Sequence, residues 1–415
     1  MVFNIETKNG LNKPRKSILF LLDDVPSCEN PHSWGHAFEQ IRELSKTCDV
    51  TVVSPVYFNL SLRRFTENIK TAKKMPPYMS KMDSITCWRP RYVSFSFIPW
   101  QFSKHYFQIC SMIGSLLLLI VRKKIRFDII HAHFIYRPGY LATILGRLFR
   151  KPVVITAHGS DVHQNLLLNQ ENPIFRKRTL ATIKKSNWII AVSENIKNLI
   201  EKEGVLNKTS VIPCGFSKSE FYPMDTNMCR EKLSLNPDKK YILYIGNLEY
   251  IKGVDILIKA FNELCILDPR LELLIIGDGA ERKALEKQVH EYSIDKRIRF
   301  LGRRKHTEIP LFINASDVVA IPSRNEGRPV IVFESLACGT AVVASRVGGI
   351  PETIVNDTLG ILVDAENTVA LANGIKKALL KRFEDGFLSD YVSKYEHSEL
   401  ISEINDVYQK LLFRS

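Results

Sequence analysis

The feature that most constrains this chain is an alternation, kept up along most of its length, of short apolar runs with longer stretches of helical periodicity. Such alternation predicts parallel βαβ units. The expected strands of the first half are residues 17–22, 50–53, 127–131, 153–157, 188–192 and 210–212. Those of the second half are 241–245, 272–276, 298–301, 318–321, 341–344 and 360–363. Several runs are apolar almost throughout, as in strands covered by helices on both faces. At 415 residues the chain exceeds one ordinary core, so two domains are expected. The break is placed at Pro213-Cys214-Gly215 and the polar stretch that follows to Pro237. Near the C-terminus, Leu400, Ile401, Ile404, Val407, Tyr408 and Leu411 have the spacing of an amphipathic helix lying on something larger. The fold class is therefore α/β, two Rossmann-like domains, with ligand bound where strand C-termini of both halves face one cleft.

The most informative stretch begins Ile321-Pro322-Ser323-Arg324-Asn325-Glu326-Gly327-Arg328-Pro329, continues to Glu334, and closes with Ala337-Cys338-Gly339. A strand end, a loop and a helix are expected in turn. Pro329 suits the first helical position, where its missing N–H costs nothing. Gly339 suits a left-handed terminator. The N–H groups at such a helix start favour a diphosphate. Glu326 and Glu334 stand eight residues apart, one on the loop and one in the helix. Each carboxylate can accept two hydroxyls, so one suits a sugar diol and the other a ribose diol.

The formal charge of +14 calls for an anionic partner: nucleic acid, an anionic membrane surface or a phosphate-bearing substrate. No recognition-helix, zinc-finger or aromatic RNA-binding signature accompanies the basic residues, so nucleic acid is not expected. The basic runs Arg122-Lys123-Lys124, Arg147 with Arg150-Lys151, and Arg176-Lys177-Arg178 lie in the first half, beside an apolar run ending at Val121. They suit peripheral attachment to an anionic membrane, although solvated faces are the ordinary fate of such runs. The N-terminus has no secretory pattern, and the apolar run 112–121 is shorter than the roughly 20 residues a spanning helix needs. A cytoplasmic protein on the inner face of the plasma membrane is expected. Eight cysteines without a CxxC pair read as reduced core thiols, and no metal site is expected.

The segment Glu326-Gly327-Arg328-Pro329 through Glu334, with Ala337-Cys338-Gly339 and Val347-Gly348-Gly349-Ile350-Pro351-Glu352, resembles the donor site of the retaining GT-B glycosyltransferases of family 4. The resemblance covers most of the chain. It includes His131-Ala132-His133, His158-Gly159-Ser160-Asp161, Val192-Ser193-Glu194, Gly246-Asn247-Leu248 with Lys252-Gly253, Gly277-Asp278-Gly279 and Phe300-Leu301-Gly302, in family order. Within the family the chain looks most like bacterial enzymes of teichuronic acid, exopolysaccharide and O-antigen assembly.

The resemblance implies a GT-B arrangement with an acceptor-side domain at 1–214, a nucleotide-sugar domain at 215–392, and a C-terminal helix (393–415) returning to the first. It implies a nucleotide-sugar donor, expected to be a UDP-sugar, and a glycan or lipid-linked acceptor. Glu326 would hold the donor sugar and Glu334 the ribose. Lys252 would hold the diphosphate, with the amides of Arg328, Val330 and Ile331 and the loop at Gly35 nearby. His158 would contact the transferred sugar close to the anomeric carbon. Trp34, His36, His133 and Ser193 would lie on the acceptor side. Retention implies same-face attack, with Glu326 as covalent nucleophile the alternative. No cofactor or metal is implied, and there is no Asp-x-Asp pair for a divalent cation. Asn247 departs from the family's common Arg, which predicts that Arg328 supplies the missing charge; Cys214 stands where Asn is common. The bland alternatives are a solvated Glu334, a turn-capping Glu326, a surface Lys252, a structural His131 and His133, and a His158 bound only to a carbonyl. An epimerase on the same fold and an inactive partner subunit are the competing functions.

Overall fold

The computed structural model describes residues 15–23, 35–60, 75–95, 101–163, 173–205, 207–381 and 386–413. Its first half forms an eight-stranded sheet from β1 (Ser17–Leu21), β2 (Asp49–Val53), β4 (Met79–Met82), β5 (Ile85–Trp88), β7 (Ile129–His133), β8 (Val153–Ala157), β9 (Trp188–Ala191) and β10 (Thr209–Val211). The order is β10-β9-β8-β7-β1-β2-β5-β4, parallel except for β4. A separate parallel ribbon pairs β3 (Val56–Leu60) with β6 (Arg91–Phe95). The second half contributes β11 (Lys240–Ile245), β12 (Leu271–Ile276), β13 (Ile298–Gly302), β14 (Val318–Ile321), β15 (Ala341–Ser345) and β16 (Ile361–Val363). These run β13-β12-β11-β14-β15-β16, all parallel, so the order reverses between β11 and β14. A crevice opens at such a switch point, beyond the strand C-termini. The architecture is the expected α/β pair of Rossmann-like domains.

Alternation along the strands divides the core. Leu19 and Leu21 of β1 face a cluster with the helices Gln101–Lys123 and Tyr140–Phe149. Ile18 and Phe20 face the other way, onto Ile41 and Leu44 of the helix Gly35–Leu44 and onto Leu400, Ile401, Ile404, Val407 and Tyr408. The C-terminal helix His397–Leu412 therefore lies on the first sheet. Its way there is set by Gly215, whose φ is +73°. A Cβ at Gly215 would come within 2.7 Å of Leu400 Cδ1 and 2.9 Å of the Tyr395 carbonyl. The Phe216 amide donates to the Tyr395 carbonyl, and the His397 amide to that of Phe216, so two stretches of chain run side by side there.

Three expectations change. The strand expected at 127–131 lies at Ile129–His133, because Asp128 is used in the turn, its carboxylate accepting from the Ser17 amide at 3.0 Å. The ribbon and hairpin between Val56 and Phe95 were not expected. The apolar run 112–121 belongs to a longer helix, Gln101–Lys123, and its segment Tyr106–Lys123 is long and apolar enough to cross a membrane. One face of that helix, at Ile109, Met112, Leu116, Leu119 and Ile120, is buried in the core.

Candidate functional site

The site is assembled from loops at the C-terminal ends of β11, β14 and β8. After β11 the chain makes a short turn at Tyr250–Lys252 and passes through Gly253 with φ at +65°. A Cβ at Gly253 would sit 2.1 Å from the Pro322 carbonyl oxygen, so only glycine lets this turn lie against the loop after β14. The approach brings Lys252 Nζ to 2.7 Å from Glu326 Oε1, an oxygen that also accepts from Ser323 Oγ at 2.8 Å. Arg324 fastens loop to turn. Its Nη1 and Nη2 each donate to Asp255 at 2.8 Å, its Nε to Glu366 at 2.9 Å, and its guanidinium lies 3.8 Å over the Tyr250 ring. Bidentate pairing of this kind fixes orientation as well as distance.

The helix Val330–Ala337 begins directly after this loop. Pro329 is extended and stands just outside it, one position earlier than expected, and Gly339 ends it in the left-handed region at φ +77°. Val330 and Ile331 occupy its first turn, where amides lack intrahelical acceptors. Glu334 follows on the same helix, buried, with Oε1 3.2 Å from His306 Nε2.

Across from this loop stands the turn after β8. Gly159 has φ +112°, and Asp161 braces the turn: its Oδ1 accepts from the His158 amide at 3.1 Å and the Gly159 amide at 3.0 Å, its Oδ2 from the Ile135 amide at 2.8 Å. A Cβ on Gly327 would lie 2.0 Å from the His158 carbonyl oxygen. A third glycine packs on the same loop, the Gly349 amide donating to the Gly327 carbonyl at 2.7 Å. The His158 turn and the Glu326 loop thus touch backbone to backbone.

His158 sits in a histidine stack. Its Nε2 is 2.9 Å from His133 Nδ1, its Nδ1 is 3.5 Å from Cys214 Sγ, and its ring is 4.6 Å from that of Phe134. Burial pushes the Cys214 thiol up to about 12, so it faces the imidazole as a neutral group. His131 lies behind, fully buried, with Nδ1 2.6 Å from Tyr408 Oη and Nε2 2.8 Å from Thr156 Oγ1. Burial, and then His158, push its imidazole down to about 3, so it is neutral.

The structure brings Lys252, Glu326, Val330, Ile331 and Glu334 together on the loops and helix start beyond β11 and β14, with the His158 turn packed against the Glu326 loop. Other expected residues lie elsewhere. Arg328 is the main correction. Its Nε donates to Thr353 Oγ1 at 3.0 Å, its Nη1 is 3.6 Å from Glu352 Oε2, and the rings of Phe333 and Tyr395 flank it. With its side chain only 6% exposed, the guanidinium is a buried structural cation here, not a replacement for the charge absent at Asn247. Asn247 is exposed, its Nδ2 3.5 Å from Glu249 Oε1. Ser193 is fully buried as the cap of the helix Glu194–Glu201, its Oγ accepting from the Ile196 amide. It presents nothing to an acceptor. His133 is likewise fully buried, its Nδ1 2.9 Å from His158 Nε2. Trp34 lies outside the described residues, as does the His36 side chain; Gly35 opens the helix Gly35–Leu44.

Two participants were not anticipated. His306, in the loop after β13, lies between Glu334 and Glu220. Glu352 reaches across to the first domain, where its carboxylate accepts from the Glu194 and Asn195 amides, both at 2.9 Å. The Ile350-Pro351-Glu352 part of the sequence motif was the available signal for Glu352; His306 had none, because its partners are distant in sequence.

Comparison with known proteins agrees with this fold. Residues 35–220 match the family model described as Glycosyltransferase Family 4, and residues 225–394 that described as Glycosyl transferases group 1. The D-inositol 3-phosphate glycosyltransferase of Corynebacterium glutamicum is 29% identical over 66% of this chain and 68% of its own. A putative teichuronic acid biosynthesis glycosyltransferase of Bacillus subtilis, TuaC, is 26% identical over 87% of this chain and 88% of its own. Among solved structures, a sucrose-phosphate synthase from Thermosynechococcus elongatus superposes with a TM-score of 0.78 at 21% identity, over 97% of this chain and 100% of that one. Anabaena HepE in complex with UDP gives 0.69 at 19% identity, over 95% and 100%. At these identities the structural likeness is one of fold.

Proposed function

Since this chain is a glycosyltransferase, a family 4 domain followed by a group 1 domain, we propose that it moves a sugar, with retention at the anomeric carbon, from a UDP-sugar to a cell-surface polysaccharide or lipid-linked acceptor. The observation that carries this reading is the Lys252–Glu326 pair at 2.7 Å beside the start of the Val330–Ala337 helix. Lysine and helix N–H groups together suit a diphosphate, and a carboxylate next to them suits the hydroxyls of the sugar it bears.

In the proposed reaction the bond from the anomeric carbon to the diphosphate oxygen breaks and a bond to the acceptor oxygen forms on the same face. The acceptor proton passes to the departing phosphate. Charge grows on that phosphate, and Lys252 and the amides of Val330 and Ile331 meet it in place, which is where a preorganised site lowers a barrier most. In this scheme Lys252 exchanges Glu326 for the diphosphate when donor binds, and Glu326 turns both oxygens to the sugar. Arg324 and Asp255 keep the loop fixed meanwhile. His158, at the edge of the crevice, borders the transferred sugar. No protein nucleophile, cofactor or metal enters the scheme.

The choice of uridine is supported by Anabaena HepE, solved with UDP and with UDP-glucose, and that of an envelope glycan by TuaC. Attachment to the inner face of the plasma membrane is supported by the Gln101–Lys123 helix. Tyr106, Phe107, Leu118 and Val121 are exposed along it and lead to Arg122, Lys123 and Lys124. An exposed apolar face ending in cations suits an anionic bilayer surface.

Thermal stabilisation by a panel of nucleotide sugars, followed by NMR of the product's anomeric configuration with and without EDTA, tests the proposal. Stabilisation by UDP-sugars, a retained configuration and indifference to EDTA are expected. An inverted product, or stabilisation by another nucleotide alone, overturns the corresponding part.

A further inference from the structure

The loop between β13 and the helix Ile309–Ala315 carries His306, which the proposed chemistry leaves without a task. Its imidazole stands between carboxylates from two distant parts of the chain. Nε2 is 3.2 Å from Glu334 Oε1, and Nδ1 is 3.3 Å from Glu220 Oε2. The ring packs edge-on against Phe221, 5.2 Å between centroids. Glu220 also accepts from Arg42 Nη2 at 3.2 Å, and Arg42 pairs with Glu39 on the same helix. Charges therefore alternate along one row: Glu39, Arg42, Glu220, His306, Glu334. The row starts on the first helix of the N-terminal domain, passes through the segment joining the domains, and ends at the donor helix.

An imidazole with a carboxylate at each nitrogen carries both protons, since a neutral ring would turn one lone pair toward an oxygen. Burial opposes that charge. The hydrogen bonds to Glu220 and Glu334 outweigh it and hold the imidazole up at about 10. Glu220 is correspondingly held below the usual carboxylate range, first by its bond to His306 and then, against burial, by Arg42. The other groups facing the ring are those already in the row, Arg42 and Glu39, and on its own loop the Lys305–Glu308 turn, where the Lys305 amide donates to the Glu308 carboxylate.

We propose that His306 is a positioning residue for Glu334. As an imidazolium it pins Oε1, so the carboxylate is held in one rotamer with its remaining lone pairs presented to the nucleotide. Through Glu220 and Arg42 it also ties that carboxylate to the N-terminal domain. A pinned carboxylate loses less side-chain freedom when a diol binds, and its buried charge is compensated before the nucleotide arrives. The row makes nucleotide affinity depend on the placement of the first helix. This inference rests on the assignment of the ribose hydroxyls to Glu334.

The test is calorimetric titration of the full chain with UDP and with 2′-deoxy-UDP across about pH 6 to 9, with three variants. Glu334→Gln examines the ribose assignment: it should weaken UDP and lose the preference for UDP over the deoxy analogue. If that preference is unchanged, the ribose assignment fails, and the inference with it. Where it is lost, His306→Gln should bind UDP about tenfold more weakly with a reduced preference, the size expected when a charged hydrogen bond is removed. Glu220→Gln, which leaves Glu334 and His306 in place but removes one of the two carboxylates holding the proton, should make UDP affinity fall with rising pH within that range, while the parent stays flat. Parent-like affinity and preference in His306→Gln, or a flat profile in Glu220→Gln, overturns the inference while leaving the ribose assignment standing.

Discussion

Gly159 and Gly327 meet across the two domains: a Cβ on Gly159 would come within 2.5 Å of the Gly327 Cα. Nothing larger than hydrogen fits between the turn that carries His158 and the loop that carries Glu326. The His158 turn and the Glu326 loop are spaced by backbone contact, and this spacing is open to experiment.

Gly327→Ala places a methyl 2.0 Å from the His158 carbonyl and forces the loops apart. A displacement of about 1 Å in a site that works by orientation costs about 100-fold in rate. We expect kcat/KM to fall by about that factor. A parent-like kcat/KM would mean that the contact is not kept during turnover.

Lys252→Ala removes the cation paired with Glu326 at 2.7 Å. Turnover should drop by about 100- to 1000-fold, the range for deleting one preorganised donor at developing charge. Lys252→Arg should recover part of it. Equal losses in both, with UDP affinity untouched, would place the lysine outside the diphosphate site.

Arg328→Ala is expected to act on stability. Its guanidinium is bonded to Thr353, faces Glu352 and is flanked by Phe333 and Tyr395. Losing its buried hydrogen bond to Thr353 and its packing between the two rings costs about 1–3 kcal/mol, read as a lower Tm, while UDP affinity in the folded variant should change little. A parent-like Tm with lost UDP affinity would restore Arg328 to the diphosphate. Lys252→Ala should show the opposite pattern.

His131 gives the protein an acid limb. Burial holds its imidazole at about 3, against an ordinary value of 6.5 in the unfolded chain. Between those values the unfolded state binds the extra proton, so this contribution to stability is whole above about pH 6.5 and fades as pH falls toward 3. Urea midpoints should decline over that interval, and less steeply in His131→Gln. Equal slopes would show that other groups set the limb.

Replacing Arg122, Lys123 and Lys124 by Gln removes about 3 kcal/mol of attraction to an anionic surface, at roughly 1 kcal/mol each. Flotation with anionic vesicles should weaken about 100-fold, with thermal stabilisation by nucleotide sugar unaltered. Equal flotation of the parent with neutral and anionic vesicles removes the electrostatic part of the membrane proposal.

Strands such as β8 and β14 were legible because nearly every residue is apolar and the flanks break cleanly. The hairpin β4–β5 was not, since Met79–Met82 mixes polar and apolar residues at a sheet edge, where burial imposes no pattern. Motif spacing located the Lys252 turn and the Glu326 loop, because glycines such as Gly253 are demanded by close backbone approach and so leave a trace. Side-chain direction leaves none. Arg328 on the same loop turns inward to Glu352, and nothing in its neighbours along the chain distinguishes that from turning outward. His306 was hidden for a related reason, as its meaning comes from Glu220 and Glu334, which only tertiary structure brings to it.

The pairing of Phe216 with Glu396 has a mechanical consequence. Two covalent crossings laced together behave like the pin of a door: they favour swinging about one line and resist twisting or sliding. The glycine contact at the crevice is then the latch side of the door. A cut in either crossing should turn a single well-defined swing into loose wobble, even with both lobes intact.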